Sequence, residues 1–146
     1  MQKAVIFDID GTIANNDERQ KILKDNVHNW QNFFNEMGND TVNKAISEIY
    51  DIIKKTKKYK MLIVTGRPET YRKITEQWLI WNRIEYDNLY MRSENDCRSD
   101  VDVKREILQK IREQYDVSFV FDDRRSVVQM WREEGLVCFQ CFDHDY

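Results

Sequence analysis

Short runs of hydrophobic residues recur along the chain, and residues typical of turns follow most of them. We predict a β-strand at each of five runs, in chain order Ala4–Phe7, Met61–Val64, Asn88–Met91, Val117–Phe121 and Leu136–Phe139. Most of these runs are continuous rather than alternating with polar residues. They are therefore typical of strands that are buried on both faces, as in parallel sheets.

Amphipathic stretches lie between the later runs, with hydrophobic residues spaced three and four positions apart as in helices. They follow the second, third and fourth runs, at Tyr71–Trp81, Ile107–Tyr115 and Val127–Trp131. Pro68 suits a first helical turn, Asp100 is the expected N-cap of the second helix, and Gly135 is the expected end of the third. The alternation predicts an α/β fold with a three-layer, doubly wound, mostly parallel sheet.

The segment from about residue 15 to residue 59 departs from this alternation. It carries two helical stripes and no strand-like run, with Gly38-Asn39 as the turn between them. The first stripe consists of Ile22, Val27, Trp30 and Phe34, and the second of Val42, Ile46, Ile49, Tyr50 and Ile53. We therefore predict a single domain over residues 1–146, in which residues 15–59 form a small helical cap inserted after the first strand.

The composition is that of a folded protein with nearly balanced charge. Among 146 residues, 23 are Lys or Arg and 26 are Asp or Glu, which gives a net charge of −3. That balance excludes a protein that coats nucleic acid by bulk positive charge, although a few phosphates could still be held at one site. The apolar runs are far shorter than the ~20 residues of a membrane span. Three cysteines and no signal peptide lead us to expect a reduced, cytoplasmic protein.

Two pairs of aspartates follow predicted strands directly. Asp8 and Asp10 come after the first strand and precede Gly11, which permits a sharp turn, and Asp122-Asp123 end the fourth strand. An ordinary Asp-x-Asp-Gly turn would explain the first pair alone. The second pair favours a site, because ligands bind at the carboxyl ends of strands in open α/β sheets. Converging carboxylates repel one another or take a cation, and oxygen ligands of this kind favour Mg²⁺.

Two further elements suit the binding of an anion at the same edge of the sheet. Thr65-Gly66-Arg67 ends the second strand, where backbone N–H groups and a hydroxyl could hold phosphate oxygens. Lys104 lies about one turn into the predicted helix and could reach the strand ends. Taken alone, Thr65-Gly66-Arg67 could equally be an ordinary turn, and Lys104 could equally be a solvated lysine on a helix surface.

With these residues in view, the chain resembles the haloacid dehalogenase (HAD) superfamily of phosphotransferases over nearly its whole length. The motifs occur in the superfamily's order: Asp8-Ile-Asp10-Gly-Thr12, Thr65, Lys104 and Asp122-Asp123. The resemblance implies that Asp8 is the nucleophile that forms an aspartyl-phosphate, and that Asp10 is the general acid and later the base. Thr65 and Lys104 would hold the phosphoryl oxygens.

The resemblance also implies a Mg²⁺ site. Asp8, the Asp10 carbonyl and Asp122 would hold the ion, and Asp123 would support the site. An aspartate at the position of Asp10 is shared by phosphatases and mutases, so it does not separate these two activities.

A narrower resemblance covers about Met61 to Gln140, including residues outside the superfamily motifs. The stretches Leu62–Arg67, Met91–Glu94, Arg98–Lys104, Phe121–Arg124 and Val127–Arg132 are similar to the phosphatase half of phage-type polynucleotide kinase-phosphatases. The resemblance implies removal of 3′-phosphates and 2′,3′-cyclic phosphates from nucleic acid ends during repair. It adds four residues to the active site: Arg19, Arg67, Arg92 and Asp100. Arginine forks pair well with phosphate oxygens, and Asp100 lies one helical turn before Lys104.

The 146 residues contain no Gly-x-x-x-x-Gly-Lys-Ser/Thr kinase loop. We therefore expect a polynucleotide 3′-phosphatase that acts alone or beside a separate kinase or ligase. Two alternatives remain open at this point. One is a phosphatase of nucleotides or sugar phosphates with the same catalytic residues, and the other is a non-catalytic module that binds nucleic acid ends.

Other conspicuous features receive a structural interpretation. We expect the basic run Lys54–Lys60 to be the solvated end of a helix, and Cys138-Phe-Gln-Cys141 to be a core strand rather than a zinc site. We expect Asp143–Asp145 to be a frayed tail. The tryptophans all fall on helical stripes, where we expect core packing: Trp30, Trp78, Trp81 and Trp131.

Overall fold

The computed structural model describes residues 1–19, 21 and 36–146. Within these residues the strands are β1 (Gln2–Phe7), β2 (Ala14–Asn15), β3 (Thr41–Val42), β4 (Lys60–Pro68), β5 (Asn88–Arg92), β6 (Tyr115–Arg124) and β7 (Cys138–His144). The α-helices are α1 (Lys44–Lys55), α2 (Arg72–Trp81), α3 (Asp100–Arg112) and α4 (Arg125–Glu133). Short 3₁₀ helices occupy Glu36–Asn39 and Glu69–Tyr71.

A five-stranded parallel sheet forms the centre of the fold, with the strand order β5-β4-β1-β6-β7. The chain builds outward from β1 to β4 and β5 on one side, and then to β6 and β7 on the other. The strand order therefore reverses at β1. In doubly wound sheets the crevice at such a reversal, outside the carboxyl ends of the strands, is where ligands bind.

Both faces of the sheet are covered, as the continuous hydrophobic runs predict. Along β1, Ala4 and Ile6 pack into a core shared with α3 and α4, whereas Val5 and Phe7 pack into a core shared with α1 and α2. In the pairing of β1 with β6, Ala4 lies opposite Val117 and Val5 lies opposite Phe119, so the register shifts by one residue at Ser118. The three-layer, doubly wound α/β prediction is thus confirmed.

Several local expectations need correction. The segment 15–59 does contain a strand, since Thr41–Val42 pairs antiparallel with Ala14–Asn15. The N-cap of α3 is Ser99 rather than Asp100, and its hydroxyl accepts a hydrogen bond from the Asp102 N–H at 3.3 Å. Tyr115 begins β6 instead of ending the helix.

The tryptophans do not share one environment. Trp78 and Trp131 are buried as expected, but Trp81 is 85% exposed at the last position of α2. Core packing is therefore the wrong interpretation for Trp81. Trp30 and the first predicted stripe of the insert lie outside the described residues. The second stripe forms α1, except for Val42, which lies in β3.

Three other expectations concern the lysine run, the segment Cys138–Cys141 and membrane spans. Lys54 and Lys55 lie in the last turn of α1, where cations complement the helix dipole. Cys138 is buried in β7, but β7 is an edge strand of the sheet and Phe139 is 50% exposed, so the expectation of a core strand is wrong for this segment. Among the described residues, every helix is too short or too polar to cross a bilayer.

Gly135 supplies a stability prediction because it lies after α4 in the left-handed region, with φ at 84°. Gly135→Ala should lower the free energy of unfolding by about 1 kcal/mol, since side chains are strained there. A Cβ at this position would have no neighbour within 4 Å, so no clash adds to the strain. Urea unfolding measures the change.

The matched control is Gly38→Ala. Its added Cβ would lie at an ordinary 3.4 Å from Ile74 Cδ1, and its φ is not in the left-handed region. We expect no loss, or a gain of up to about 1 kcal/mol from a less flexible unfolded chain. Equal losses in the two variants would contradict the role given to Gly135.

Candidate active site

The carboxyl ends of β1, β4 and β6 bring most of the sequence-predicted site residues together. Asp8 directly follows β1, and its N–H donates to the Phe121 carbonyl of β6 at 3.0 Å. Thr65-Gly66-Arg67 lies within the end of β4, and Asp122-Asp123 lies within the end of β6. A cavity of about 620 Å³ opens over these strand ends.

Lys104 connects the two aspartate pairs. Its Nζ donates to Asp8 Oδ1 at 2.8 Å and to Asp122 Oδ2 at 3.0 Å. The indole of Trp131 donates to the same Asp122 oxygen at 3.0 Å. All four side chains are buried, so these are charge-assisted hydrogen bonds in a low-dielectric setting, where they are strongest. Sequence reasoning identified the first three residues but assigned Trp131 only to the core.

The charges at this cluster do not balance. Asp8, Asp122 and Asp123 each offer an oxygen, and these atoms lie within 4.8 Å of one another. Burial raises the pKa of Asp8, and Asp122 raises it further, while Lys104 opposes them. Burial likewise raises the pKa of Asp122. Three carboxylates and one ammonium group leave an excess of negative charge, which a divalent cation would offset. The donor set consists of hard oxygens and therefore fits Mg²⁺.

The Asp10 carboxylate belongs to a different cluster. It accepts hydrogen bonds from Arg67 Nε at 2.9 Å and Arg67 Nη2 at 2.7 Å, and Arg19 Nη2 also donates to it. Burial would raise the pKa of Asp10, but the charges of Arg67 and then Arg19 outweigh it, so the pKa lies well below its usual range. The side chains of Asp8 and Asp10, two residues apart, thus occupy opposite electrostatic environments.

Asp40 completes this second cluster, and sequence reasoning missed it. Arg19 donates to it through Nε at 3.0 Å to each oxygen and through Nη2 at 2.8 Å, while Arg67 Nη2 lies 3.6 Å away. The Trp78 indole fixes the same residue by donating to its carbonyl at 2.8 Å. In the sequence Asp40 follows Gly38-Asn39 and looks like part of a polar turn, so no local signal marks it.

Arg92 and Asp100 lie at the cavity wall, where they hold each other and the neighbouring backbone. Arg92 donates to the Gly66 carbonyl at 2.9 Å and to the Asp96 carbonyl at 3.1 Å, and also to the Asp100 carboxylate. Arg124, a second omission of the sequence analysis, donates to the other Asp100 oxygen at 2.8 Å. One carboxylate therefore links two arginines beside the cavity.

Thr12 and Thr65 place hydroxyl groups at the strand ends. The Thr12 hydroxyl lies 3.2 Å from Asp8 Oδ2 and 3.1 Å from Asp123 Oδ1, so it links the two aspartate pairs. Thr65 is fully buried, and its Oγ1 accepts a hydrogen bond from the Arg67 N–H at 3.1 Å. That contact holds the backbone turn through which β4 enters the site.

The segment around His144 is part of the site rather than a frayed tail. His144 ends β7, its Nδ1 lies 2.6 Å from Asp123 Oδ2, and Tyr146 donates to the same oxygen at 2.8 Å. Gln140 donates to the Asp123 carbonyl at 3.2 Å. The tail expectation was wrong because β7 continues five residues past Phe139, the end of the hydrophobic run that marked it in the sequence.

Comparison with known proteins places this chain in a described family. The family model for the polynucleotide kinase PNKP phosphatase domain matches residues 2–146. The structure superposes on a chain of the Pnkp1/Rnl/Hen1 RNA repair complex with a TM-score of 0.85 and 36% identity, covering 100% of this chain and 44% of that one. The present chain thus spans less than half the length of that relative.

More distant solved structures share the fold. A haloacid dehalogenase-like hydrolase from Streptococcus pneumoniae has a TM-score of 0.66 and 12% identity, over 94% of this chain and 83% of its own. A class C acid phosphatase from Bacillus anthracis has a TM-score of 0.65 and 13% identity, over 95% of this chain and 66% of its own. At such low identity the likeness concerns the fold alone.

The Asp40 ion pairs generate a stability prediction. Asp40→Asn should lower the free energy of unfolding by about 3 kcal/mol, because it removes a charge from a buried pair and leaves Arg19 under-compensated. The Asp40 side chain is only 3% exposed. Chemical unfolding at neutral pH measures the loss.

Asp51→Asn is the matched control for Asp40→Asn. Asp51 pairs with Lys55 across one turn of α1, and both side chains are more than half exposed. The loss there should be about 0.5 kcal/mol or less. If Asp40→Asn and Asp51→Asn lowered the free energy of unfolding by similar amounts, the proposed contribution of the buried ion pairs to stability would be contradicted.

A metal prediction follows from the aspartate cluster. Mg²⁺ should raise the melting temperature of the protein by binding the folded state, and Asp122→Asn should remove most of that shift by removing one carboxylate from the cluster. Asp116→Asn serves as the control, since Asp116 is exposed near the opposite end of the same strand. A shift in Asp122→Asn as large as in the unsubstituted protein would contradict the proposed ligand set.

Proposed function

Because the chain belongs to the family of polynucleotide kinase PNKP phosphatase domains, we propose that this phosphatase is a Mg²⁺-dependent polynucleotide 3′-phosphatase acting in nucleic acid end repair. The observation that carries the proposal is the buried cluster of Asp8, Lys104 and Asp122, set beside a cluster of arginines at the same strand ends. The first supplies a nucleophile and a cation site. The second supplies charges that can hold a phosphate.

The proposed reaction proceeds in two steps. An oxygen of Asp8 attacks phosphorus, and the bond from phosphorus to the 3′ oxygen breaks. Arg67 and Arg19 keep Asp10 ionised in the free protein, so Asp10 can protonate the leaving oxygen only after the substrate phosphate has drawn these arginines away and the carboxylate has taken up a proton. Water then attacks the aspartyl-phosphate and gives a proton to Asp10, and the bond between phosphorus and the Asp8 oxygen breaks to release inorganic phosphate. Mg²⁺ bound by Asp8, the Asp10 carbonyl and Asp122, with Asp123 in support, would supply positive charge for the phosphoryl oxygens.

Separate groups would hold the phosphate. Lys104 already contacts Asp8. A phosphoryl group that Asp8 attacks would therefore come within reach of the Lys104 ammonium group. Thr65 and the N–H groups around Gly66 would bind the remaining phosphoryl oxygens. Arg19 and Arg67 lie on Asp10, where the leaving oxygen would be protonated, so an incoming phosphate ester would compete with Asp10 for their guanidinium groups.

The cavity supports a substrate larger than phosphate. Its volume of about 620 Å³ and its lining by Arg92, Arg98 and Arg124 suit a nucleotide with adjoining phosphates. Arg92 and Asp100 would shape the wall that receives the 3′ terminal nucleotide.

The proposal extends to partners. The solved relative is part of an RNA repair complex and is about twice as long as this chain. We propose that 3′ ends of RNA or DNA, including 2′,3′-cyclic phosphate ends, are the substrates. A kinase or ligase outside these 146 residues would complete the repair, and the cytoplasm is the expected compartment.

The direct test is phosphate release with Mg²⁺ from a 3′-phosphorylated oligonucleotide, its 5′-phosphorylated counterpart and a panel of small phosphate esters. We expect strong preference for the 3′ end, on DNA or RNA. Preference for a nucleotide or sugar phosphate would keep the catalytic residues and overturn the polynucleotide assignment. No turnover of any ester would favour a non-catalytic binding module.

Asp8→Asn tests the nucleophile in the same assay. We expect phosphate release to fall by at least about 10³-fold, because the amide cannot form the covalent intermediate. Asp17→Asn is the control, since Asp17 is an exposed carboxylate later in the same segment and should leave the rate unchanged. Normal turnover by Asp8→Asn would remove Asp8 from the nucleophile role.

A further inference from the structure

The Asp123 carboxylate is held from the side of β7 by two residues that the proposed reaction does not use. Tyr146 Oη donates to Asp123 Oδ2 at 2.8 Å, and His144 Nδ1 lies 2.6 Å from the same oxygen. The other oxygen lies 3.1 Å from the Thr12 hydroxyl. The Asp123 side chain is 1% exposed, so these protein groups take the place of solvent.

The strand geometry explains why both residues reach the same carboxylate. Alternate residues of an extended chain lie on one face, and Phe142, His144 and Tyr146 form such a series. Their rings stack in order, with centroids 5.9 Å apart between the first two and 5.2 Å between the last two. The stacking fixes the direction of the imidazole and the phenol toward Asp123.

The opposite face of the same segment is anchored separately. Arg125 Nη2 donates to Asp143 at 2.6 Å, and Arg125 Nη1 lies 3.7 Å from Asp145. These pairs are exposed and do not touch the aspartate cluster. They supply residues for a control, because they belong to the same stretch of chain and have no contact with Asp123.

The Tyr146 ring already has protein neighbours. It stacks on His144, and the Arg124 guanidinium carbon lies 5.9 Å from its centroid. The adjacent turn also fits closely around the hydroxyl, since a Cβ at Gly11 would lie 2.5 Å from Tyr146 Oη. These contacts fix the hydroxyl on Asp123. Because Tyr146 also lines the cavity and is 40% exposed, a role for its ring as a platform for a nucleobase is the alternative that the experiment must separate.

We propose that Tyr146 and His144 are positioning residues that hold the Asp123 carboxylate in the metal-binding cluster, so that Mg²⁺ affinity depends on both. Asp123 lies among carboxylates that repel it, and two donors on one oxygen oppose its rotation away from them. Outer hydrogen-bond partners of this kind are known to set metal affinity. The inference rests on the Mg²⁺ site of the proposed function.

Titration of the full chain with Mg²⁺ alone tests the proposal, with binding followed by calorimetry and by melting temperature. Tyr146→Phe removes the hydroxyl and keeps the ring, and His144→Ala removes the ring nitrogen. Each should weaken Mg²⁺ binding about tenfold, a typical effect of losing one outer partner. His144→Asn keeps a donor near the position of Nδ1 and should restore most of the affinity. Asp145→Asn, the control, should bind Mg²⁺ as the unsubstituted protein does.

A kinetic readout separates positioning from a general structural role. On a small aryl phosphate, excess Mg²⁺ should restore the kcat of Tyr146→Phe, because the loss is in metal affinity. Unchanged Mg²⁺ affinity in Tyr146→Phe would overturn the proposal. So would a Tyr146→Ala variant with normal Mg²⁺ affinity and a raised KM for oligonucleotides alone, since that result assigns the ring to substrate contact.

The same experiments distinguish a failure of the positioning role from a failure of the proposed function. If the predicted order of Mg²⁺ affinities is found but no oligonucleotide is dephosphorylated, the positioning role stands and the polynucleotide assignment fails. If 3′-phosphates are removed and the variants bind Mg²⁺ equally, the positioning role fails alone. Absence of Mg²⁺ binding in the unsubstituted chain would overturn both.

Discussion

Repulsion among buried carboxylates is the constraint that shapes the rest of this structure. Asp8, Asp122 and Asp123 place oxygens within 4.8 Å of one another, at the ends of two strands whose parallel pairing brings their backbones side by side. Burial and mutual repulsion raise the pKa of Asp8 and Asp122, so their ionised forms need compensation. Lys104, the Trp131 indole and the Thr12 hydroxyl provide part of it. The remaining charge is what makes the cluster suitable for a divalent cation.

In the cluster around Asp10, the buried carboxylates are compensated in a different way. Asp10 and Asp40 are paired with Arg19 and Arg67, so two carboxylates meet two guanidinium groups and the charges balance within the protein. The neighbouring environments move the pKa of Asp8 up and that of Asp10 down. The fold thus separates a carboxylate-rich cluster, the proposed cation site, from an arginine-rich cluster, the proposed phosphate site, within two residues of one loop.

The sheet and the convergence of the aspartates at its edge could be predicted from the sequence, because both depend on local signals. Continuous hydrophobic runs marked the strands, and aspartates placed directly after them marked the edge at which the candidate site lies. Asp40 and Tyr146 escaped because their roles come from tertiary contacts: Asp40 meets Arg19 across 21 positions, and Tyr146 meets Asp123 across 23. Trp81 was misjudged for a related reason. Helical periodicity identifies which residues share a face of the helix. It does not show how far along the helix the elements that pack on that face extend.

Two glycines show how firmly the carboxylates are placed. A Cβ at Gly66 would lie 2.5 Å from Asp100 Oδ1, and one at Gly11 would overlap the Asp123 carboxylate. In both cases the backbone of a strand-end turn packs directly on a carboxylate, with no side chain between them. A carboxylate held by backbone is fixed before any ligand arrives, and preorganised charges stabilise a transition state without reorganising during the reaction. The close approach of these turns therefore helps to hold two carboxylates of the sheet edge in place, beside the hydrogen bonds and ion pairs that hold the others.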